Sequence, residues 1–151
     1  MTAYYIPMKI HIITVGEPKL AYARSGWQEY TSRLQHYHQL RITHIPDKWA
    51  YDAKKLLETA GSAYTVALVI EGGQQLSSPE LAAFLEKRAL EGRELCLYIG
   101  GPEGLPAEVI QKAGFQWSFS KLTFPHDLAM VILAESLYRA STISAGQPYH
   151  K

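Results

Sequence analysis

One cysteine in 151 residues leaves no intrachain disulfide to hold this fold together. Charge is just as unbiased. Fifteen lysines and arginines stand against 14 aspartates and glutamates, for a net charge of +1, and no long basic run occurs. That balance excludes a protein that grips bare nucleic acid mainly by neutralising phosphates, because such affinity grows with each phosphate contacted. RNA presented on an already shaped ribonucleoprotein remains open as a substrate. No apolar stretch is long enough to span a bilayer, and the N-terminus lacks the charged-then-apolar design of a secretion signal. The chain therefore reads as cytoplasmic, with no membrane partner. The usual nucleotide fingerprints are missing too. Gly16 stands alone after the first apolar run, so there is no G-x-G-x-x-G, and neither a P-loop nor a G-x-S-x-G elbow is present.

What is there suits one packed domain over residues 1–151, since 47% of the residues are hydrophobic. Residues 1–7 carry no periodicity and read as an N-terminal extension. Met8 to Gly16 is a β-branched run closed by glycine, which fits a buried first strand. From Lys19 to His38, Leu20, Trp27, Tyr30, Leu34 and Tyr37 recur at helical spacing. Strands are then expected at Arg41 to Ile45, Val66 to Ile70, Glu94 to Ile99 and Trp117 to Phe119. Helices are expected at Tyr51 to Ala60, from the Ser77-Ser78-Pro79-Glu80 start to Leu90, at Pro106 to Ala113, and from His126 to Ser144. Alternating strands and helices imply an α/β fold, a mostly parallel sheet flanked by helices. Ligands of such sheets sit outside the carboxyl ends of the strands. That rule points to Gly72-Gly73, Gly100 to Gly104 and Ser120 to Pro125.

Gly100-Gly101-Pro102-Glu103-Gly104 puts three glycines within five positions, so main chain rather than side chains can face a ligand. A nest of amides for an anion and a plain tight turn fit it equally well. His126 falls at a helix entrance behind Pro125. Cys96, inside Leu95 to Ile99, reads as a small core residue. His36, His38 and His44 have no cysteine partner and no H-E-x-x-H, so they read as surface histidines and no metal is expected.

Four segments in this order, Ile99 to Gly104, Phe119 to His126, Ala134 to Ala140 and Pro148-Tyr149-His150-Lys151, resemble the bacterial RlmH family of the SPOUT superfamily. Its members methylate N3 of a pseudouridine in 23S ribosomal RNA. The resemblance runs from Met8 to the terminus. It implies a C-terminal trefoil knot, S-adenosyl-L-methionine as cofactor, a homodimer, and the assembled ribosome with its 23S rRNA as partners. Carried over residue by residue, the cofactor contacts fall on Leu68, Gly100, Phe119, Ser120, Lys121, Leu122, Thr123 and Phe124. The turn Glu71-Gly72-Gly73-Gln74 is one residue longer than the family's, which leaves Val69 as the alternative to Leu68. Leu68 keeps the family spacing to Ile70 and Gly72.

An imide N–H is a poor nucleophile until deprotonated, and His126, Arg139, Tyr149 and His150 are the residues suited to help. His126 and Arg139 are thirteen residues apart, about 20 Å along a straight helix. One base cannot touch both within a single chain, so a partner subunit supplies one of them or one acts on the RNA backbone. Two further readings share these features. One is a related methyltransferase acting on transfer RNA, and the other is a non-catalytic ribosome-binding factor.

Overall fold

The computed structural model describes residues 5–150. Met1 to Tyr4 of the expected extension, and Lys151 of the terminal motif, lie outside the described residues. Five strands, β1 (Lys9–Val15), β2 (Gln39–Ile45), β3 (Tyr64–Leu68), β4 (Leu95–Ile99) and β5 (Phe115–Trp117), form one sheet in the order β2-β1-β4-β3-β5, and every pair is parallel. Helices α1 (Ala21–Leu34), α2 (Ala53–Ala60), α3 (Ser78–Glu91), α4 (Ala107–Lys112) and α5 (His126–Ser144) cover it. Six of the seven β1 residues and all five of β4 are buried, as central parallel strands covered on both faces must be.

Alternation along β1 sorts the core into two. Ile10 and Ile12 join Trp27, Leu34, Leu85, Met130, Leu133 and Leu137, which puts α1, α3 and α5 on one face. Ile13 and Val15 join Leu56 and Val109, which puts α2 and α4 on the other. The start of α3 is as expected. Ser77 and Glu80 form a reciprocal capping box, Pro79 sits in the first turn, and Gly92 ends the helix at φ +74°.

The long expected helix from Lys19 to His38 is shorter at both ends. Leu20 lies outside it and is exposed, because the main-chain N–H groups of Lys19 and Leu20 donate to the Asp127 carboxylate at 2.9 and 2.6 Å. At the other end the chain turns off after Leu34 to enter β2. That turn corrects the reading of His38 as a surface histidine. It is buried, Met8 N–H donates to its Nδ1 at 3.2 Å, and its Nε2 lies 3.0 Å from Ser141 Oγ. The fifth strand also sits earlier than expected. Phe115 to Trp117 pair with Val66 to Leu68, while Ser118 and Phe119 have already left the sheet.

The other edge of β5 is occupied as well. Gln74 N–H donates to Gln116 O and Ser118 N–H to Gln74 O, at 2.9 and 3.0 Å. β3 and the chain leaving it therefore bracket β5 on both sides. Gly73 permits it, since a Cβ there would lie 2.8 Å from Ser118 N.

Candidate cofactor slot and its distant tail

Three strand exits meet at the carboxyl rim, and a cleft holding about 620 Å³ of space, part of it open to solvent, lies between them. Leu68 to Ile70 come from β3, Ile99 to Pro102 with Gly104 from β4, and Ser118 to Ser120 with Leu122 to Phe124 from the segment after β5. His126 and Ala129 from the first turn of α5 close the inner side. Of the expected cofactor residues, Leu68, Gly100, Phe119, Ser120, Leu122, Thr123 and Phe124 line this one cleft. Lys121 is exposed and absent from the lining. Leu68 and Val69 both line it. Ala129 was not foreseen. Its signal was available as the small residue one turn after His126, on the same helix face.

Each wall has a local cause. The Gly101–Gly104 turn closes through Gly104 N–H to Gly101 O at 2.9 Å, with Gly104 at φ +84°. Gly100 lies so close under that turn that a Cβ would sit 2.5 Å from Gly104 C and 2.7 Å from both Gly104 O and Leu105 N. Opposite it, the Trp117 and Phe119 rings meet edge to face at 4.9 Å, and Phe124 lies 6.4 Å beyond Phe119. The loop is held by its own serines. Ser118 Oγ donates to Ser120 O at 3.1 Å, and Ser120 Oγ accepts from Leu122 N–H at 3.0 Å. Ile70 and Leu122 remain largely exposed at the mouth. His126 Nε2 is buried without a hydrogen-bond partner, while its Nδ1 is 3.8 Å from Asp127 Oδ1. Burial by itself would raise the Asp127 carboxyl, but the main-chain N–H groups of Leu20 and Lys19, with the His126 ring beside it, together hold it below its ordinary range.

Arg139, Tyr149 and His150 are elsewhere. Helix α5 is continuous from His126 to Ser144, so Arg139 stands about 20 Å from His126 along the axis. There Arg139 Nη2 donates to Glu135 Oε2 at 2.7 Å, the ion pair one turn back that spacing allows. The chain then folds back through a short turn, Pro148–His150. The Tyr149 hydroxyl reaches Glu135 Oε2 at 2.9 Å, and its ring packs on Tyr138 at 4.7 Å, with the Arg139 guanidinium 5.0 Å from its centroid. His150 is exposed.

A family model described as "Predicted SPOUT methyltransferase" matches residues 8–150. The chain belongs to the SPOUT methyltransferases. A protein named ribosomal RNA large subunit methyltransferase H from Deinococcus deserti is 48% identical over 145 residues, covering 95% of this chain and all of the relative. A protein of the same name from Bacillus pumilus is 40% identical over 160 residues, with 95% and 100% covered. Among solved structures, a methylase family protein from Haemophilus influenzae superposes with a TM-score of 0.58 at 11% identity, over 92% of this chain and 69% of that one. A tRNA methyltransferase from Aquifex aeolicus gives 0.52 at 12% identity, over 89% and 70%. At those identities the two structures speak for the fold alone.

Three features of this slot fit a methyl donor built on adenosine. Aromatic and aliphatic walls suit a flat base, the glycine turn exposes main-chain groups, and the unspent His126 Nε2 is a buried polar atom awaiting a partner. Among the described residues no group of three or more His, Cys, Asp or Glu is placed to hold a metal ion, and no helix is long and apolar enough to cross a membrane.

Proposed function

We propose that this chain methylates N3 of a pseudouridine in 23S ribosomal RNA of the assembled ribosome, using S-adenosyl-L-methionine and acting as a homodimer. One observation carries the reading. A cleft lined by seven of the eight expected cofactor residues opens at the strand ends of a chain 48% identical to a ribosomal RNA large subunit methyltransferase. When bound, the cofactor supplies a methyl group on a sulfonium.

The chain's own residues divide the remaining work. Leu68, Phe119, Leu122 and Phe124 would offer the cofactor's base an apolar enclosure, and main chain at Gly100 and Thr123 would offer it polar groups. His126 is the titratable side chain in the lining, its Nε2 makes no other hydrogen bond, and it is the group assigned to hold or move a proton there. Arg139 and Tyr149 offer donors to a base anion, yet they stand near the far end of α5. Because α5 is one continuous helix, they reach the acceptor base at the slot only from a second copy, unless one of them acts on the RNA backbone instead, and a homodimer supplies that copy.

The test is to incubate the protein with labelled S-adenosyl-L-methionine and, in parallel, assembled ribosomes, free large subunits, naked 23S rRNA and transfer RNA. Label is expected on 23S rRNA, most with the assembled particle, on a base whose N3 is blocked. Label on transfer RNA alone would move the substrate to that class. Cofactor binding without transfer to any of them would mark a non-catalytic ribosome-binding factor.

A further inference from the structure

Exposed apolar side chains are not spread evenly over this molecule. Among the described residues seven large ones are exposed, and five of them, Leu20, Tyr22, Tyr51, Ile70 and Leu122, follow strand exits at the carboxyl rim. Ile70 and Leu122 belong to the slot. The other three lie close in sequence to the residues that line a second, open groove between the exits of β1 and β2, which are Gly16 to Lys19, Arg24 and His44 to Asp47. Arg24 Nη1 donates to the main-chain oxygen of Lys19, while the Lys19 ammonium is lightly engaged. Lys19 Nζ faces Asp47 at 3.9 Å with both side chains more than 70% exposed, a pair of little worth in water. Beside it, Lys48 and Lys55 place their ammonium groups 4.5 and 4.4 Å from the centre of the Trp49 ring, and Tyr51 stands 54% exposed next along the chain.

This surface adjoins the slot. A Cβ at Gly101 would lie 3.8 Å from Ala50 Cβ, between Trp49 and Tyr51, and Asp127 ties Lys19 and Leu20 to the residue after His126. Resting on the function proposed above, we infer that Tyr51 and the Lys48–Trp49–Lys55 stack form a platform for an unpaired base neighbouring the methylated one, with Lys19 and Arg24 contacting its backbone phosphate. The chemistry of the acceptor supports this. N3 lies on the pairing edge of its base, so the enzyme can reach it only where the strand is unpaired, and neighbouring bases there have free faces. Aromatic side chains among lysines are what such a strand needs, because stacking tolerates any base and cations follow the backbone. Glu17 and Asp47 in the same groove limit its pull on duplex phosphate, in keeping with a net charge of only +1.

The experiment compares the full chain with Tyr51→Ala, Tyr51→Phe and the double variant Lys48→Gln/Lys55→Gln. It measures methyl transfer to ribosomal particles, S-adenosyl-L-methionine affinity by calorimetry, and retention on particles by sedimentation. For Tyr51→Ala, loss of one stacked base should raise KM for particles about 10-fold at unchanged kcat and cofactor affinity, and Tyr51→Phe should restore it. The lysine variant should raise KM and flatten its salt dependence. A KM for Tyr51→Ala within about twofold of the unaltered protein, or lost cofactor binding, overturns the platform. A change confined to the protein's own association state would instead make this face an interface between copies and overturn it equally. Should the unaltered protein transfer no methyl group yet be retained on particles through Tyr51, the proposed reaction falls and the platform stands. Equal retention of both proteins sinks the platform whatever the turnover.

Discussion

Gly100→Ala and Gly101→Ala add the same methyl group to neighbouring residues of one turn, and the structure assigns them opposite outcomes. At Gly100 the new carbon meets Gly104 C at 2.5 Å and Gly104 O and Leu105 N at 2.7 Å, all main-chain atoms that no rotamer change can clear. Relief requires the turn to move by roughly 1 Å against its Gly104 to Gly101 hydrogen bond, an overpacking cost of about 1–3 kcal/mol. In a domain of this size that lowers Tm by about 3–10 °C. At Gly101 the carbon heads for Val15 Cγ1 at 3.4 Å and Ala50 Cβ at 3.8 Å, ordinary contacts on the side of the second core, and the residue is not among the positive-φ glycines. There alanine costs little and gains about 0.4–1 kcal/mol from a less flexible unfolded chain. Thermal unfolding and calorimetric titration with S-adenosyl-L-methionine separate the two. Gly100→Ala should lose at least about 10-fold in affinity because displaced main chain no longer faces the slot, while Gly101→Ala should bind as the unaltered protein does. Equal affinities for both variants would refute the view that close-packed main chain at Gly100 shapes the site.

Two other outcomes follow from buried and shared groups. Burial pushes His38 down from 6.5 to about 4, so the unfolded chain takes up a proton near pH 6.5 that the folded chain refuses until near pH 4. Its contribution is therefore complete above pH 6.5 and is lost as pH falls toward 4, by up to about 3 kcal/mol. Urea denaturation across that window should show the loss in the unaltered protein and a smaller slope in His38→Gln; equal slopes would remove His38 as the cause. For the dimer, coexpressing Gly100→Ala chains with chains ending at Pro148 tests whose tail closes the slot. If the tail acts on the partner, half of the randomly mixed dimers hold one intact site of two, and about a quarter of full turnover returns. No recovery would assign the tail to its own chain.

Local signals were the legible ones. The capping box at Ser77 and Glu80, the β-branched runs of β1 and β4, and the glycine turn after Ile99 each depend on a few consecutive residues, and each formed where expected. The slot was legible because three strand exits of a parallel sheet must share one rim. What escaped was set by distant partners. His38 is buried because Met8 and Ser141, 30 and 103 residues away, satisfy both ring nitrogens, which no spacing rule can foresee. The hydroxyl of Ser141 is already donated to Leu137 O at 2.8 Å, so His38 Nε2 must be the donor and Nδ1 the acceptor, a neutral ring. Likewise β5 is placed by Val66, paired with its first residue on one edge, and by Gln74, bridged to its last on the other, not by its own apolar residues.

In the proposed reaction something must take the proton of the acceptor nitrogen, and the tail is poorly equipped to do so. Glu135 Oε2 is engaged by both Arg139 Nη2 and the Tyr149 hydroxyl, and Oε1 lies 3.4 Å from Arg139 Nε. Burial, with hydrogen bonding to Tyr30 and Glu135, pushes the Tyr149 phenol above its usual range, so it stays protonated at neutral pH. Arg139 and Tyr149 are thus donors, suited to steady a base anion but unable to create one. Proton removal then falls to a histidine, and His126, whose Nε2 is buried at the slot without a partner, has the better position than the exposed His150. A histidine base must be neutral, so turnover should fall on the acid side of the profile of rate against pH. His126→Gln should lose most of its turnover and the dependence with it, whereas His150→Gln should keep that acid limb. A limb that survives in His126→Gln and vanishes in His150→Gln would move the base to the tail, and one that survives in both would exclude either ring as the base.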